Sequence, residues 1–215
     1  MLRFFFASGS PFAWRVHLAL VEKAIEHQAV LLSFQAGDLK KAEYVAISPH
    51  AKVPALVAGD LALYESQPIL EYLEDRHPAP PLLPSDPAGR ALVRIEETEC
   101  TLYFFEAFSA LARQVFFTPA DERDQKAIDA GRAAVRAQLG RVDGRAAKRG
   151  GDFVMGKTFT RADTSWLPFV ELAGRAGIDV GGVAPWIGAW RDRMRARPSY
   201  DKTYPPHWRT SPPPV

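Results

Sequence analysis

The sequence predicts an α/β N-terminal domain, built on a small mixed sheet, followed by an all-α C-terminal domain. Up to about residue 78, short apolar runs alternate with helical patterns in the order βαβ, a short helical segment, then ββα. The stretch from His77 to Pro87 contains five prolines and reads as an extended linker. Beyond it the apolar spacing is almost wholly helical. We therefore expect domains over residues 1–78 and 88–215, joined by a linker over residues 79–87.

Length and composition exclude several classes of protein. The chain has 215 residues, a net charge of +2 and a single cysteine, Cys100, so an intrachain disulfide is impossible. The charge is too small to predict nucleic-acid or membrane binding. The N-terminus lacks the features of a signal peptide, and no run approaches eighteen apolar residues. We therefore expect a cytoplasmic protein. We also expect no metal, because no His/Cys/Asp cluster has metal-ligand spacing.

The first domain is predicted from alternating strand and helix signals. A βαβ unit requires a parallel strand pair, and the hairpin after it adds an antiparallel one. Ser66 is a candidate N-cap for the helix that closes the domain. The predicted elements are a strand over Leu2 to Phe6, a helix over Phe12 to Ala24, a strand over Ala29 to Phe34, a hairpin turning at residues 58–60, and the helix "SQPILEYLEDR".

The second domain is predicted to contain four helices. The first is one long helix, capped by Ser85 or Asp86 and opened by Pro87. The third begins at "TRAD", which has capping-box spacing with Asp163 in the position usually held by Glu. The proline-rich tail "YPPHWRTSPPPV" is expected to run over the surface or fray. The four segments begin at "SDPAGRAL", "PADERDQK", "TRADTSWL" and "APWIGAWR".

In the stretch "ASGSPFAWRVHLAL", Ser8 and Ser10 lie between the predicted first strand and the predicted first helix. A helix N-terminus presents unpaired N–H groups and partial positive charge, so a hydroxyl there can help to hold an anion. Spacing alone favours the simpler interpretation, in which Ser10 is the N-cap and Pro11 the first helical residue. Both interpretations stay open at this point.

Two further sites combine a simple structural interpretation with a functional one. Val53-Pro54 precedes a buried strand, where a cis peptide would let Val53 offer its backbone to a ligand, although proline is common at strand starts. Glu65-Ser66 is either a helix cap or a pair that binds an ammonium and a carboxylate. Three lysines are each expected to be solvated surface charges: Lys40, Lys41 and Lys52. Together with Glu65 and the helix N-termini, they would suit a small zwitterionic peptide.

Taken in order, these parts resemble the cytosolic glutathione S-transferases, with a bacterial-looking, serine-type motif. The resemblance rests on "SPFAWRV", "SPHAKVPAL", "LYESQPILEYLEDRHP", "LLPSDPAGRA", "TRADTSWLP" and "WRDRMRARPSY". It implies a thioredoxin-like N-terminal domain that binds glutathione as co-substrate. It also implies a helical C-terminal domain that supplies most of the second-substrate site, and assembly as a homodimer.

The resemblance assigns roles to individual residues. Ser10 corresponds to the catalytic serine, and Phe12 follows it at the glutathione site. Val53 corresponds to the residue that pairs with the cysteinyl backbone of glutathione, and Pro54 to the cis-proline of the family. The remaining glutathione positions are Glu65 and Ser66 at the γ-glutamyl end, with Lys40 and Lys52 at the glycine carboxylate. The chain departs from the family at Leu39, Ser48 and His50, where histidine, asparagine and glycine are common.

The implied mechanism follows from thiol acidity. The thiolate is the nucleophile, and a serine hydroxyl that donates to sulfur at a positive helix end favours it. The electrophile is expected beside Ser10 and Phe12, against the long helix. The candidate second-substrate residues are Tyr103, Phe104, Phe108, Arg113 and Trp166, with core packing or dimer contact as the simpler interpretation of the aromatic ones.

We therefore predict a glutathione transferase that conjugates glutathione to an apolar, electrophilic small molecule, as in detoxification. Within the enzymes, a maleylacetoacetate-type isomerase and an ether-cleaving or dehalogenating enzyme stay open. A non-catalytic ligand-binding or interaction protein on the same fold is the alternative of another class. Retention of Ser10, Val53-Pro54 and Glu65-Ser66 favours the enzyme.

Overall fold

A computed structural model describes residues 1–210. The chain divides into two compact units at Leu82 and Leu83, inside the stretch predicted as a linker. The first unit contains Met1–Leu82 together with residues 198–210, and the second contains Leu83–Arg197. The C-terminal segment thus groups with the sheet, whereas the predicted helical domain extended over residues 88–215.

The first unit is built on the four-stranded mixed sheet that the sequence predicts. The strand order is β2-β1-β3-β4; β1 runs parallel to β2, and both other pairs are antiparallel. The hairpin turns at residues 58–60, as predicted. The strands are β1 Leu2–Phe6, β2 His27–Leu31, β3 Ala55–Ala58 and β4 Leu61–Tyr64.

The prediction for the second strand was wrong by two residues at its start and three at its end. The apolar run from Ala29 to Phe34 suggested its bounds, but β2 begins at His27 and ends at Leu31. As an edge strand, β2 takes its length from its one partner, which pairs Leu2 with His27 and Phe6 with Leu31. Phe34 is instead exposed.

Helices flank this sheet. Tyr44 of the short second helix packs with Phe5, Leu39, Ala55 and Val57 in a hydrophobic cluster. The helices of the first eighty residues are α1 Pro11–Glu22, α2 Ala42–Val45 and α3 Ser66–Arg76, with a 3₁₀ turn over Asp38–Lys40.

The second unit is helical, as predicted, but its first long helix is interrupted. A π-helical segment over Glu99–Phe104 separates two α-helices. The sequence predicted one helix because its apolar spacing continues through this segment and does not reveal the change in backbone hydrogen bonding. Asp86 is the N-cap and Pro87 opens the helix. Thr160 and Asp163 form the predicted capping box. The helices are α4 Pro87–Thr98, α5 Phe105–Phe116, α6 Gln125–Arg149, α7 Arg161–Arg175, α8 Val180–Val183 and α9 Pro185–Arg195.

The tail was predicted to run over the surface or fray, and over residues 204–210 it does not fray; residues 211–215 lie outside the described part of the chain. The C-terminal segment forms α10 Pro198–Thr203 and a 3₁₀ turn over Pro206–Arg209. Its aromatic side chains surround Trp14 of α1, whose indole N–H donates to Thr203 at 2.8 Å. The rings of Tyr200, Tyr204 and Trp208 lie 5.9, 5.8 and 5.5 Å from that of Trp14.

Candidate functional site

The sheet register brings the predicted site residues to one edge. In the antiparallel pairs, Phe5 lies opposite Ala55, and Ala55 lies opposite Tyr64. The turn that follows β1, the residues that precede β3 and the residues that follow β4 therefore leave the sheet at the same end. These three segments carry Ser10, Val53-Pro54 and Glu65-Ser66.

Ser10 caps the helix that follows β1. Its Oγ accepts a hydrogen bond from the N–H of Ala13 at 3.3 Å, and Pro11 occupies the first helical turn. The cap uses an acceptor lone pair of the hydroxyl, so the O–H hydrogen can still be donated. The two interpretations of Ser10 are thus compatible. Gly9 supplies the positive φ of 85° that turns the chain into the helix.

The Val53-Pro54 peptide is cis, in agreement with the role that the resemblance assigns to Pro54. The loop before it is held by two hydroxyl groups, since Tyr44 and Ser48 donate to the carbonyl of Lys52 at 2.7 and 2.8 Å. Burial raises the pKa of Tyr44 to about 12, so its phenol stays a donor. Ser48, which departs from the family pattern, is 1% exposed and helps to fix this loop.

Ser66 is not the N-cap of α3, which corrects the sequence prediction. Glu65 holds the cap position, with a φ of 67° and no side-chain capping bond. Ser66 is the first helical residue and is 3% exposed, and its hydroxyl accepts from the buried guanidinium of Arg15 at 2.5 Å. The same guanidinium lies 5.5 Å from the ring centroid of Phe12. Arg15 thereby links Ser66 to the helix that Ser10 caps.

The two lysines predicted for the glycine carboxylate lie on exposed loops. Lys40 ends the 3₁₀ turn, and Lys52 directly precedes Val53. The neighbouring Lys41 instead binds Asp38 at 2.6 Å, and this ion pair lowers the pKa of Asp38. Leu39, another departure from the family pattern, is 7% exposed and belongs to the apolar cluster beneath the turn.

The five residues predicted for the second substrate lie in the helical unit. Phe104, Phe108 and Trp166 are no more than 2% exposed. The ring of Phe104 stacks on Phe108 and meets Trp166 edge-on at 5.5 Å. Tyr103 and Arg113 are exposed. The three buried side chains are part of the core of this unit, and their role at a second-substrate site stays a prediction.

Sequence reasoning missed two residues that the structure brings to this edge. Arg15 is buried between apolar neighbours, Trp14 and Val16, and a charged residue in such a place is a signal of a buried polar partner. His207 of the C-terminal segment lies beside the Ser8–Ser10 turn, and its Nδ1 is 2.5 Å from Ser8 Oγ. The spacing of Tyr200, Tyr204 and Trp208 at four-residue intervals is the signal that the segment packs.

The fold and this site together define a thioredoxin-like domain followed by a helical domain. Residues 9–76 match the family model "Glutathione S-transferase, N-terminal domain", and residues 105–198 match "Glutathione S-transferase, C-terminal domain". The chain therefore belongs to the glutathione S-transferase family.

Characterised proteins agree with this assignment. Glutathione S-transferase A of Pleuronectes platessa is 30% identical over 95% of this chain and 92% of its own length. Maleylacetoacetate isomerase of Mus musculus is 30% identical over 80% of this chain and 77% of its own.

Two solved structures are also similar. One is a glutathione S-transferase from the Antarctic clam Laternula elliptica, with a TM-score of 0.89 and 32% identity over 99% of this chain and 96% of that one. The other is a theta class glutathione S-transferase from Xanthomonas axonopodis pv. citri with glutathione bound, with a TM-score of 0.85 and 27% identity over 94% and 96% of the two chains.

Within residues 1–210, no helix is long and apolar enough to cross a membrane. The same residues contain no group of three or more His, Cys, Asp or Glu side chains that could hold a metal ion.

Proposed function

We propose that this protein is a glutathione transferase that activates the thiol of glutathione at Ser10 and adds it to an apolar electrophile. The observation that carries the proposal is the arrangement at the sheet edge. The register leads a serine-capped helix, a cis-prolyl loop and the Glu65-Ser66 pair to the same end of the sheet. The glutathione-bound structure of the Xanthomonas relative supports glutathione as the co-substrate.

In the proposed complex, each part of the tripeptide meets groups of suitable chemistry. The backbone of Val53 pairs with the cysteinyl residue, and Glu65 and Ser66 hold the ammonium and carboxylate of the γ-glutamyl end. Lys40 and Lys52 attract the glycine carboxylate, and Phe12 lies beside the ligand. These assignments put the cysteinyl sulfur near the N-terminus of α1.

The chemistry then needs one hydrogen bond and one helix end. The thiol loses its proton to solvent, and the thiolate accepts a hydrogen bond from the Ser10 hydroxyl at the positive end of α1. Each unit by which the thiol pKa falls corresponds to about 1.4 kcal/mol of preferential stabilisation of the thiolate. The thiolate sulfur attacks the electrophilic carbon and forms the new S–C bond while another bond to that carbon breaks. In an addition this is a π bond, whose electron pair then takes a proton from solvent; in a substitution it is the bond to the leaving group, which departs as an anion. Ser10 is a hydrogen-bond donor throughout and forms no covalent intermediate.

Two measurements test the proposal. Calorimetry should detect binding of glutathione. Absence of binding would contradict the proposed transferase function and favour a non-catalytic protein. The ultraviolet absorbance of the thiolate, followed against pH, should show a depressed thiol pKa for bound glutathione. Substitution Ser10→Ala should return that pKa toward the value of free glutathione.

The second candidate is a glutathione-dependent isomerase of maleyl compounds. The similarity to the mouse maleylacetoacetate isomerase favours it, since that match extends over 80% of this chain. The same thiolate would add to a cis double bond, allow rotation about the resulting single bond, and leave again without being consumed. A panel of maleyl compounds, aryl halides, hydroperoxides and aryl ethers separates the two, because conjugation consumes glutathione and isomerisation does not. Tyr103, Phe104, Phe108, Arg113 and Trp166 stay our candidates for recognising the electrophile.

We also propose that the protein is a homodimer. Three apolar side chains on α4 and the π-helical segment, Leu92, Ile95 and Leu102, are 46%, 51% and 58% exposed, and self-association would remove them from water. Sedimentation analysis should give twice the mass of the chain, and Leu102→Glu should shift it toward the monomer.

A further inference from the structure

The C-terminal segment places a histidine directly on the turn that carries Ser10. Ser8 Oγ and His207 Nδ1 form a hydrogen bond of 2.5 Å. The imidazole also covers Gly9, because a Cβ built on that glycine would lie 3.0 Å from Cε1 of His207 and 3.5 Å from its Nε2. The ring therefore lies against the backbone that joins Ser8 to Ser10.

The backbone on both sides of His207 is held in place. Pro206 opens the 3₁₀ turn, and its ring fixes φ. Trp208 is 8% exposed and meets Trp14 edge-on at 5.5 Å. Arg209 binds the carboxylate of Asp201 at 2.8 Å and lies over the ring of Tyr204. The histidine is thus presented to the turn by a segment that is itself packed on α1.

The turn needs such support because its centre is a glycine. Gly9 has a φ of 85°. Glycine adopts positive and negative φ about equally well, so the residue itself does not hold this conformation. Ser10 is fixed on the helix side by its capping bond, and its N–H donates back across the turn to the carbonyl of Ala7 at 3.2 Å. His207 adds a side-chain restraint on Ser8. Without the bond from His207, only the Ser10–Ala7 backbone bond restrains this side of the turn, and the backbone gains freedom at Gly9.

We propose that His207 is a positioning residue for Ser10: it holds the Ser8–Gly9–Ser10 turn through Ser8, so that the C-terminal segment forms part of the thiol site. This proposal rests on the proposed function, because it takes the Ser10 hydroxyl to be the donor to the glutathione sulfur. It assigns to His207 no contact with the substrate. Its effect is therefore on the activation of the thiol and not on the binding of the tripeptide.

The experiment compares two ligands and five variants. Thiolate absorbance of bound glutathione reports the hydrogen bond from Ser10, while calorimetry with S-methylglutathione, which has no thiol, reports binding of the rest of the ligand. The variants are His207→Ala, Ser8→Ala, their combination, His207→Asn, which keeps a polar group at the Nδ1 position, and Lys202→Ala as a control on the exposed surface of the same segment.

We expect each of the two alanine variants to lower the ratio of thiolate to thiol in bound glutathione at neutral pH by up to roughly three- to tenfold, the range for loss of one neutral hydrogen bond. The double variant should be no worse than either single one, because both remove the same bond. His207→Asn should recover most of the wild-type fraction, and Lys202→Ala should not change it. Affinity for S-methylglutathione should change less than about twofold in all of them.

Additive losses in the double variant, or an equal loss of affinity for S-methylglutathione, would overturn the positioning role. A thiolate fraction that responds to Ser10→Ala but not to His207→Ala would overturn this inference alone. If wild type binds no glutathione, or if Ser10→Ala leaves the thiol pKa unchanged, the proposed function fails and this inference fails with it.

Discussion

The guanidinium of Arg15, which is 2% exposed, donates a 2.5 Å hydrogen bond to the hydroxyl of Ser66. Arg15 belongs to the helix that Ser10 caps, and Ser66 is the first residue of the helix that follows Glu65. One buried bond therefore links the predicted thiol end of the site to its predicted γ-glutamyl end. A substitution at Ser66 should therefore lower the free energy of unfolding as well as the affinity for glutathione.

Substitution Ser66→Ala removes an acceptor from a buried guanidinium, so we expect the free energy of unfolding to fall by about 1–3 kcal/mol and glutathione affinity to fall too. Glu65→Gln should lower affinity by about tenfold or more through the lost charge, but should change stability by less than about 0.5 kcal/mol because Glu65 is exposed. Urea unfolding and calorimetry on both variants provide the comparison. Equal stability of the two would contradict the link through Arg15.

At Ser10, capping and catalysis can be separated by substitution. Ser10→Ala should lose both the cap, at about 1 kcal/mol of unfolding free energy, and the activity. Ser10→Asp should keep the cap, because aspartate caps as well as serine, yet it places a negative charge beside the thiolate and offers no donor. We expect a stable, inactive protein. Substantial activity in Ser10→Asp would show that the hydroxyl hydrogen is not required.

His17 should make the first unit less stable in mild acid. Its ring lies 5.2 Å from that of Phe4 and 5.5 Å from that of Phe6, and burial, with a smaller contribution from His27, lowers its pKa to about 4. A depressed histidine pKa contributes stability that is present above pH 6.5 and is lost as pH falls through 4. The stability advantage of wild type over His17→Phe should therefore shrink, by at most roughly 3 kcal/mol, between those pH values. Unfolding measured across this range tests it, and a constant advantage would contradict it.

The contribution of Asp163 to stability should decrease as pH rises, whereas that of His17 increases. Burial raises the pKa of this aspartate to about 6, although hydrogen bonds from the backbone of Val154 and Thr160 and from Trp190 oppose the rise. A raised carboxyl pKa contributes stability that is fully present below pH 3.8 and is lost as pH rises through 6. The advantage of wild type over Asp163→Asn should thus fall by roughly 3 kcal/mol from pH 3.8 to 6. Unfolding of the two proteins at several pH values measures it; an advantage that grows with pH would refute it.

Much of the site could be predicted because its parts are local in sequence. The serine before a helical proline, the Val53-Pro54 pair before a strand and the turn of the hairpin each depend on a few neighbouring residues. The bounds of β2 could not be predicted in the same way, because they depend on its partner β1 and not on its own apolar run.

The remaining differences involve contacts between distant residues. Ser66 looks like a cap in sequence, but Arg15, from an earlier helix, occupies its hydroxyl. The prolines of the C-terminal tail suggested a segment that runs over the surface or frays, whereas Tyr200, Tyr204 and Trp208 pack around the buried Trp14 of α1. Neither partner can be read from the local pattern.

The return of residues 198–210 to the first unit also has a consequence for how the protein is made. Chains emerge from the ribosome N-terminus first, so residues 1–82 are available to fold long before the segment that packs on Trp14 exists. The sheet can form early, but Trp14 and the Ser8 turn lack their neighbours until residues 198–210 have been synthesised. A prematurely terminated chain would therefore carry an assembled sheet and an unfinished site.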